Sequence, residues 1–341
     1  MRFSLTIIVV FVIFTNCSVY LKHPSIGNNA QWKTVTYNDS AVFCLPKSKH
    51  RIDSVINTRS GRTYLVNNNC FKLPACDLKA GINELSLLFY LSNSKIRKKK
   101  ERLYMVSEII PKQIPVKNYN LIKHDESAYT QGLIYWNDLL YESTGLRGES
   151  TIRTINPKNG DVLTKQLLTD SVFGEGMTLF NSELYVLTWK DSLVLKFNTD
   201  LQLIEQNTYR KEGWGLTNID RRLLASDGSD YLFYLDSNNY QVDSVFQVFN
   251  HRGPVYYLNE LEYIDNHIWA NVLGKDTIMV IDPENGKVEM EIDVTNCIDR
   301  LQHPDAGALN GIAYDKVNQV VYLTGKNWPF MLIWRPFFFE K

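Results

Sequence analysis

The amino-acid sequence predicts an all-β protein, in which a small β-sandwich (Ig-like) domain precedes a five-bladed β-propeller. The propeller is predicted by a pattern that recurs five times: an apolar strand, a polar turn, a second strand and a third strand ending in Asn, Asp or Pro. The interval between recurrences is that of a four-stranded propeller blade. The smaller domain is predicted because about eighty residues before the repeat contain short strands at close spacing.

The first strands of the five repeats lie 44, 39, 45 and 51 residues apart, beginning near Leu133, Met177, Leu216, Leu261 and Ile312. Fourth strands follow in four repeats, but the fifth repeat stops after its third strand. We expect the unassigned strand at 119–123 to complete the fifth blade, because an open array would leave two unpaired sheet edges. The turns Asn159-Gly160 and Asn285-Gly286 supply the positive φ that tight hairpins require.

The β-sandwich is expected over residues 30–112 and the propeller over residues 116–341. The charged run at 95–102 predicts a solvated hairpin tip, and Pro111 and Pro115 predict a linker. Three cysteines fall in the smaller domain, so they cannot all pair with one another: Cys44, Cys70 and Cys76. The sequence favours one bridge at most and leaves its pairing open.

The composition excludes one class of partner. The chain has 37 Lys plus Arg and 37 Asp plus Glu, hence a net charge of zero, whereas a broad nucleic-acid surface needs an excess of basic residues. The 7 Trp, 19 Tyr and 16 Phe suit strands and the walls of a binding pocket. We therefore expect no nucleic-acid partner, and we expect a monomer.

Residues 1–17 predict export. A charge at Arg2 precedes the apolar run 5–14, which is too short to span a bilayer and is typical of a secretory signal. The string Phe14-Thr15-Asn16-Cys17-Ser18 resembles a bacterial lipobox, although ordinary signal cleavage is the alternative. We expect a cell-envelope lipoprotein, periplasmic or anchored in the outer membrane, whose only membrane contact is a lipid on Cys17.

Polar and aromatic residues suited to binding or catalysis occur at equivalent positions in the repeats. These positions are the ends of the first and second strands, which face the central channel of the predicted propeller. Loops before the first strands carry Gln131, Glu175, Trp214, Asn259 with Glu260, and Asn310, and Tyr129 lies beside Gln131. Ends of second strands carry Trp189, Trp269 and Lys326. Each residue alone has a plainer interpretation: an aromatic at a strand end is usually core, and a Glu between Gly174 and Gly176 is usually a solvated turn. Five equivalent positions together favour a binding pocket.

At these positions the chain resembles the plant and bacterial type of glutaminyl-peptide cyclotransferase (glutaminyl cyclase), a family of five-bladed propellers. The strings that carry the resemblance are YTQGL at 129–133, YESTGL at 141–146, FGEG at 173–176, TW at 188–189, GWGL at 213–216, SDGS at 226–229, LNELE at 258–262, WAN at 269–271, LNGIA at 309–313, TGK at 324–326 and WP at 328–329. In order, they cover nearly all of residues 119–335. Two departures fall at the expected pocket rim, where Arg147 and Leu273 replace common aromatics.

The resemblance implies a reaction on peptides and proteins with an N-terminal Gln, which cyclises to pyroglutamate with release of ammonia and without a metal or other cofactor. It implies that Glu175 shuttles the proton and that Lys326 stabilises developing negative charge. It further implies substrate contacts from Tyr129, Gln131, Trp189, Trp214, Asn259, Glu260, Trp269 and Asn310. Two alternatives are a non-catalytic propeller that binds peptides or glycans, and a metal-dependent propeller enzyme such as a lactonase. The second would need more metal-ligating carboxylates than Glu175 and Glu260 provide.

The expected lipid on Cys17 is testable in the host. Growth with a radioactive fatty acid should label the mature protein, because the lipobox cysteine becomes its modified first residue. An unlabelled protein with a different mature terminus would contradict lipidation and favour ordinary cleavage.

Overall fold

The computed structural model describes residues 33–37, 40–44 and 50–336. The predicted signal sequence and Cys17 lie outside the described residues. The described part contains thirty strands and two three-residue 3₁₀ helices, Ala75–Asp77 and Thr295–Cys297, so it is all-β, as predicted. It forms two compact units: one reaches Ile110 and also includes Phe249–Pro254, and the other comprises the remaining residues from Pro111 onward.

The N-terminal unit contains two sheets that share one apolar core. Its strands are β1 (Lys33–Thr36), β2 (Ser40–Cys44), β3 (Ile52–Asn57), β4 (Thr63–Leu65), β5 (Cys70–Pro74), β6 (Gly81–Leu91) and β7 (Ile96–Val106). One sheet has the order β1-β7-β6-β3-β4, and β2 pairs with β5. Along β6 the alternation of strand side chains buries Leu85, Leu87 and Phe89. A disulfide joins Cys44 of β2 to Cys70 of β5, a pairing that the sequence left open.

Two sequence predictions about this region were wrong. Residues 96–102 are not a hairpin tip but part of β7, which pairs with β6 from Ile96 opposite Tyr90 onward. One charged residue of the run has an opposite charge directly across the sheet: Arg102 pairs with Glu84 at 2.7 Å. Residues Lys112–Pro115 are likewise not a linker but a strand, β8, in which Ile114 is fully buried.

The second unit consists of five sheets. The strands that follow β8 in the chain, of which all but β22 and β23 belong to this unit, are β9 (Asn120–Lys123), β10 (Thr130–Trp136), β11 (Leu139–Thr144), β12 (Thr151–Ile155), β13 (Val162–Leu167), β14 (Gly174–Phe180), β15 (Glu183–Thr188), β16 (Leu193–Phe197), β17 (Leu203–Thr208), β18 (Leu216–Ile219), β19 (Arg222–Ser226), β20 (Tyr231–Leu235), β21 (Val242–Gln247), β22 (Phe249–Asn250), β23 (Gly253–Pro254), β24 (Leu258–Ile264), β25 (His267–Val272), β26 (Thr277–Ile281), β27 (Val288–Asp293), β28 (Leu309–Asp315), β29 (Val320–Gly325) and β30 (Phe330–Trp334). The sheet orders are β10-β11-β12-β13, β14-β15-β16-β17, β18-β19-β20-β21, β24-β25-β26-β27-β8 and β28-β29-β30-β9.

The five sheets follow one another in a closed cycle. The first strand of each sheet, or inner strand, contacts that of the next, and β28 of the last sheet contacts β10 of the first. Five apolar clusters occupy the spaces between successive sheets. The cluster that contains Leu133, Leu140 and Met331 joins the last sheet to the first. Buried apolar side chains therefore fill all five interfaces between successive sheets.

The closing strand confirms the prediction made for residues 119–123. β9 pairs antiparallel with β30, with Leu121 opposite Leu332 and Ile122 opposite Met331. β8 pairs in parallel with the outer strand β27 of the preceding sheet. The chain segment that enters this unit therefore covers the outer edges of two sheets, a usual way to protect exposed strands.

The N-terminal unit also takes six residues from the middle of the later sequence. β22 and β23 form a two-stranded hairpin, Phe249–Pro254, between β21 and β24. Phe249 is 3% exposed and belongs to the core cluster that contains Leu87 and Phe89. The hydroxyl of Tyr104 donates a 3.0 Å hydrogen bond to the carbonyl of Arg252.

Substitution of Gly160 tests whether β9 lies against the first sheet, because Gly160 contacts the last residue of β9. Both Gly160 and Gly148 have φ of 79°, but a Cβ on Gly160 would lie 1.7 Å from the Lys123 carbonyl oxygen, whereas Gly148 has nothing within 4 Å. Gly160→Ala and Gly148→Ala share the backbone strain, so the matched control isolates the contact. We expect Gly160→Ala to cost about 1–3 kcal/mol more in unfolding free energy, measured by urea and thermal unfolding. Equal losses would contradict the contact.

Candidate functional site

A cavity of about 230 Å³ opens among the loops at the inner-strand ends of the second unit. Its lining combines aromatic walls with a few polar groups, as ligand sites usually do. The lining residues are Tyr129, Gln131, Phe173, Glu175, Trp189, Trp214, Asn259, Leu273 and Lys326. Seven of the ten predicted site residues are among them. The volume is below the roughly 300–1,000 Å³ of drug-sized ligand pockets, and so it suits a single amino-acid residue.

Bulges in the inner strands set the direction of the polar side chains that lie at these strand ends. The pairing register shifts between Thr130 and Gly132, between Gly174 and Met177, between Leu258 and Leu261, and between Leu309 and Ile312. The residues inside these shifts include Gln131, Glu175, Asn259, Glu260 and Asn310. A bulge adds an unpaired residue and turns a side chain away from the regular alternation. The same irregularity in four sheets explains why polar residues occur at equivalent positions.

The glycines beside these residues permit close approach of neighbouring inner strands. A Cβ on Gly176 would lie 2.6 Å from the Cα of Gly215, and one on Gly215 would lie 1.9 Å from the carbonyl oxygen of Asn259. Neither Gly174 nor Gly176 has positive φ, so the turn interpretation of this segment was wrong. The amide of Gly176 donates to the Trp214 carbonyl at 2.7 Å, and the hydroxyl of Ser143 donates to the Glu175 carbonyl at 2.5 Å.

Glu175 and Lys326 are two buried charge-bearing groups in one cavity. Their exposed fractions are 5% and 6%. Burial raises the pKa of Glu175 well above its ordinary value, although the charge of Lys326 opposes the rise. Burial lowers the pKa of Lys326, and the charge of Glu175 opposes that change. Burial thus favours the neutral form of both groups, whereas each group favours the charged form of the other.

Aromatic rings surround this pair. The ring of Phe173 lies edge-on to Tyr129 at 6.2 Å and tilted against Trp189 at 5.5 Å between centroids. The Lys326 ammonium lies 4.5 Å from the centre of the Tyr129 ring, a cation–π contact. Sequence reasoning missed Phe173 as a wall residue. Its signal was its place directly before Gly174.

Asn310 orients Gln131. Its Nδ2 donates to the carbonyl of Thr130 at 3.0 Å, which fixes the orientation of its own amide, and to Oε1 of Gln131 at 2.9 Å. Because Oε1 of Gln131 is thus engaged, its Nε2 N–H groups remain available to the cavity as donors.

Two cavity side chains have buried polar atoms with no hydrogen-bond partner among the described residues. They are Nε1 of Trp214, a donor, and Oδ1 of Asn259, an acceptor. Buried polar atoms in native proteins nearly always have partners. A ligand that carries both an acceptor and a donor would satisfy these atoms.

Three predicted contacts lie outside the cavity lining. Trp269 is 2% exposed and packs with Trp334 in the core between the last two sheets, because its position on β25 faces the neighbouring sheet. Asn310 is fully buried and contacts Gln131 instead. Glu260 is 1% exposed and accepts a 3.5 Å hydrogen bond from the amide of Leu133. These three residues therefore do not line the cavity, and substrate contact from them stays a prediction.

The two departures from the family strings lie at different places on the rim. Leu273 lines the cavity. Arg147 does not; it forms a 2.7 Å ion pair with Asp191, whose carboxylate accepts a 3.0 Å hydrogen bond from the amide of Phe173. Arg147 thus braces the loop that holds the aromatic wall.

Within residues 33–37, 40–44 and 50–336, no three His, Cys, Asp or Glu side chains are close enough together to hold a metal ion. No helix in those ranges has the length and apolar character needed to cross a membrane.

Comparisons with known proteins agree on one family. The family model described as glutamine cyclotransferase matches residues 88–334. A glutaminyl-peptide cyclotransferase of Arabidopsis thaliana is 36% identical over 214 residues, which are 60% of this chain and 66% of that protein. The crystal structure of Myxococcus xanthus glutaminyl cyclase is 28% identical with a TM-score of 0.61, and the match covers 66% of this chain and 97% of that one.

The buried carboxyl of Glu260 predicts a pH-dependent stability. Burial, and then the charge of Glu262, raise its pKa well above the ordinary value, so the folded protein keeps this proton while the unfolded chain releases it near pH 4.3. The stability that depends on the neutral carboxyl is full below about pH 4 and is lost as pH rises. Glu260→Gln stays neutral, so we expect the wild type to lose unfolding free energy relative to this variant by up to about 1.4 kcal/mol per pH unit above pH 4.3.

Urea unfolding at pH 4, 5, 6 and 7 measures this difference, with the exposed Glu284→Gln as control. Curves for the wild type and Glu260→Gln that stay parallel at all four pH values would show that Glu260 is ionised in the folded protein.

Proposed function

Because the chain belongs to the glutamine cyclotransferase family, we propose that it is a glutaminyl-peptide cyclotransferase, an acyltransferase that converts the N-terminal Gln of peptides and proteins to pyroglutamate and releases ammonia. The observation that carries this proposal is a buried carboxyl, Glu175, inside an aromatic cavity that also holds one unpaired donor and one unpaired acceptor. These groups complement a folded glutaminyl residue.

The reaction is intramolecular. The α-amine nitrogen forms a bond to the side-chain amide carbon, and the bond from that carbon to the amide nitrogen breaks. One proton moves from the attacking to the departing nitrogen, which leaves as ammonia. Because the side chain is flexible, much of the barrier reduction comes from holding it folded with nitrogen and carbon in contact.

The walls suit this positioning task. Phe173, Trp189 and Leu273 offer apolar surface to the methylene groups of the substrate. The acceptor Oδ1 of Asn259 suits the α-amine, because an amine donates hydrogen bonds. The cavity has room for one residue, which agrees with a requirement for a chain terminus.

Two donors suit the amide carbonyl oxygen, which gains negative charge during attack. They are Nε1 of Trp214 and Nε2 of Gln131, which Asn310 keeps turned toward the cavity. Donors that are already in place cost no reorganisation when the charge develops. The ammonium of Lys326 adds positive charge to the same cavity.

Glu175 is the proton shuttle. In its ionised form it can take a proton from the attacking amine, and in its neutral form it can give that proton to the departing nitrogen. Burial favours the neutral form of Glu175 and Lys326 favours the ionised form, so the two influences on its proton oppose each other. Each of these steps uses side chains of this chain, with no cofactor.

We also infer the finer architecture: the five sheets are the blades of one propeller, and the N-terminal unit is an Ig-like sandwich. Support for the propeller comes from the closed cycle of inner strands and the five clusters between successive sheets. Support for the sandwich comes from two sheets that share one core.

We further propose that the protein acts outside the cytoplasm as a lipid-anchored monomer. The disulfide between Cys44 and Cys70 supports export, since such bonds persist in oxidising compartments. A cavity lined by a single chain supports activity as a monomer.

Substitution of Glu175 tests the function. Glu175→Gln keeps the shape of the side chain but cannot exchange protons at useful pH, so release of ammonia from a Gln-initiated peptide should fall by a factor on the order of 10² to 10⁴. Peptide affinity, measured by calorimetry, should change little because the walls and Gln131 remain. Glu183→Gln, on the neighbouring strand β15, is the matched control and should behave as the wild type. Near-normal ammonia release by Glu175→Gln would exclude Glu175 as the shuttle, and a wild type that binds peptide without turnover would indicate a binding module.

A further inference from the structure

A buried ionic cluster lies beside the site and has no part in the mechanism above. It consists of His124, directly after β9, Glu142 of β11, and Arg153 of β12 with its partner Asp125. His124, Glu142 and Arg153 are each at most 2% exposed. Nε2 of His124 lies 2.9 Å from Oε1 of Glu142, and Nη1 of Arg153 lies 2.8 Å from Oδ2 of Asp125.

The contacts of His124 determine which of its nitrogens carry protons. Nδ1 lies 2.8 Å from the carbonyl oxygen of Trp328, which can only accept, so Nδ1 carries a hydrogen. Nearby, the hydroxyl of Thr324 donates to the Phe330 carbonyl at 3.1 Å, which leaves its oxygen as an acceptor 3.2 Å from Nδ1. Nε2 faces Glu142, whose Oε1 already accepts a 2.7 Å hydrogen bond from the hydroxyl of Thr130. Both ring nitrogens thus face acceptors, which is the environment of an imidazolium.

The charges around the pair support the same state. The guanidinium of Arg153 lies 3.6 Å from the second oxygen of Glu142, so His124, Arg153, Glu142 and Asp125 together have no net charge. Burial alone would lower the pKa of His124, but the charge of Glu142 and the hydrogen bond to it outweigh burial and raise that pKa. Burial would raise the pKa of Glu142, but His124 and then Arg153 lower it.

His124 forms two hydrogen bonds to the turn 325–329, which carries Lys326. Besides the bond to the Trp328 carbonyl, the backbone amide of His124 donates to the carbonyl of Pro329 at 2.9 Å. The opposite side of the turn is held by Gly307, whose amide donates to the Lys326 carbonyl at 2.7 Å and whose carbonyl accepts from Nε1 of Trp328 at 3.0 Å. The turn is also held by the amide of Lys326, which donates to the Ala308 carbonyl at 2.9 Å, and by the amide of Asn327, which donates to the Ala128 carbonyl at 2.8 Å. Among these anchors, His124 is the one whose strength depends on charge.

We propose that His124 is a positioning residue for Lys326: as an imidazolium paired with Glu142, it holds the turn 325–329 and so fixes the lysine ammonium in the cavity. This proposal rests on the proposed function, because it takes Lys326 as the cation that acts on the substrate. Loss of the imidazolium charge loosens the turn, whereas Gln131 keeps its own hydrogen bond from Asn310. The cost therefore falls on kcat and leaves KM nearly unchanged.

A double-mutant comparison tests the coupling. His124→Gln should lower kcat roughly 10- to 100-fold, the scale of a small misplacement of a catalytic group, with KM within about twofold. In a Lys326→Met background the same substitution should have almost no further effect, since residues that act through one another are not additive. In a Gln131→Ala background its effect should persist in full. The proposal would be overturned if His124→Gln lowered kcat by the same factor in the Lys326→Met background as in the wild type. It would also be overturned if His124→Gln raised KM as much as it lowered kcat.

A control removes a partly exposed contact between a histidine and a glutamate elsewhere in the same unit. Nε2 of His267 lies 3.1 Å from Glu289 on the outer part of the fourth sheet, and His267→Gln should leave kcat unchanged. Glu142→Gln keeps the size of the carboxylate but removes its charge, so the alkaline limb of the kcat profile should move to lower pH. This variant also serves if His124→Gln does not fold. An unshifted limb would overturn the proposal.

Nitrogen NMR of ¹⁵N-histidine-labelled wild type separates this proposal from the function itself. The His124 resonances should titrate at a higher pH than those of an unperturbed histidine, which titrates near pH 6.5, whether or not the protein turns over peptide. A His124 that titrates at or below pH 6.5 would overturn the positioning proposal. Absence of ammonia release from the wild type would instead refute the proposed function.

Discussion

The site depends on how closely the backbones of neighbouring inner strands approach one another. Between Gly176 and Gly215, and between Gly215 and Asn259, no space remains for a Cβ atom. The strands can meet only where a side chain is absent, so each polar residue of the cavity lies next to a glycine. Larger residues would push the sheets apart and separate Glu175 from the groups of the next sheet. The glycines of this segment therefore serve packing, and the packing brings the chemical groups together.

The charged groups of this unit follow two different strategies. Glu175, Lys326 and Glu260 are buried without a full set of partners, and their protonation is displaced from the ordinary range as a result. The group around His124 and Glu142 is equally buried but neutral in sum and fully hydrogen-bonded on the histidine side. Desolvating a charge is costly unless it is paired. Of the first set, Glu175 and Lys326 line the cavity and are within reach of a ligand. The second set is suited to holding a fixed geometry.

Much of the fold could be predicted from the sequence because each strand carries its own pattern and the repeat multiplies that signal. The pairing of β9 with β30 followed from counting strands. The sequence predictions failed where the role of a residue depends on contacts with residues that are distant in the chain. The sequence predicts both Trp189 and Trp269 at the ends of second strands, but Trp269 lies within β25 and its side chain packs into the core between two sheets. The 2.9 Å contact of His124 with Glu142 joins the residue after β9 to β11 of another sheet. No local sequence pattern predicts this contact. Gly174 and Gly176 were misjudged because a glycine looks the same in a turn and in a close approach.

The hairpin Phe249–Pro254 changes the order in which the molecule can be completed. Phe249 belongs to the core of the N-terminal unit, but it lies after three of the five later sheets in the chain. During synthesis, at about 5–20 residues per second, the first unit to emerge waits on the order of ten seconds for this side chain. A chain cut before residue 249 lacks part of both units at once. The two units, although compact, are therefore not independent segments of the polypeptide: the start of the protein is finished only when most of the rest has been made.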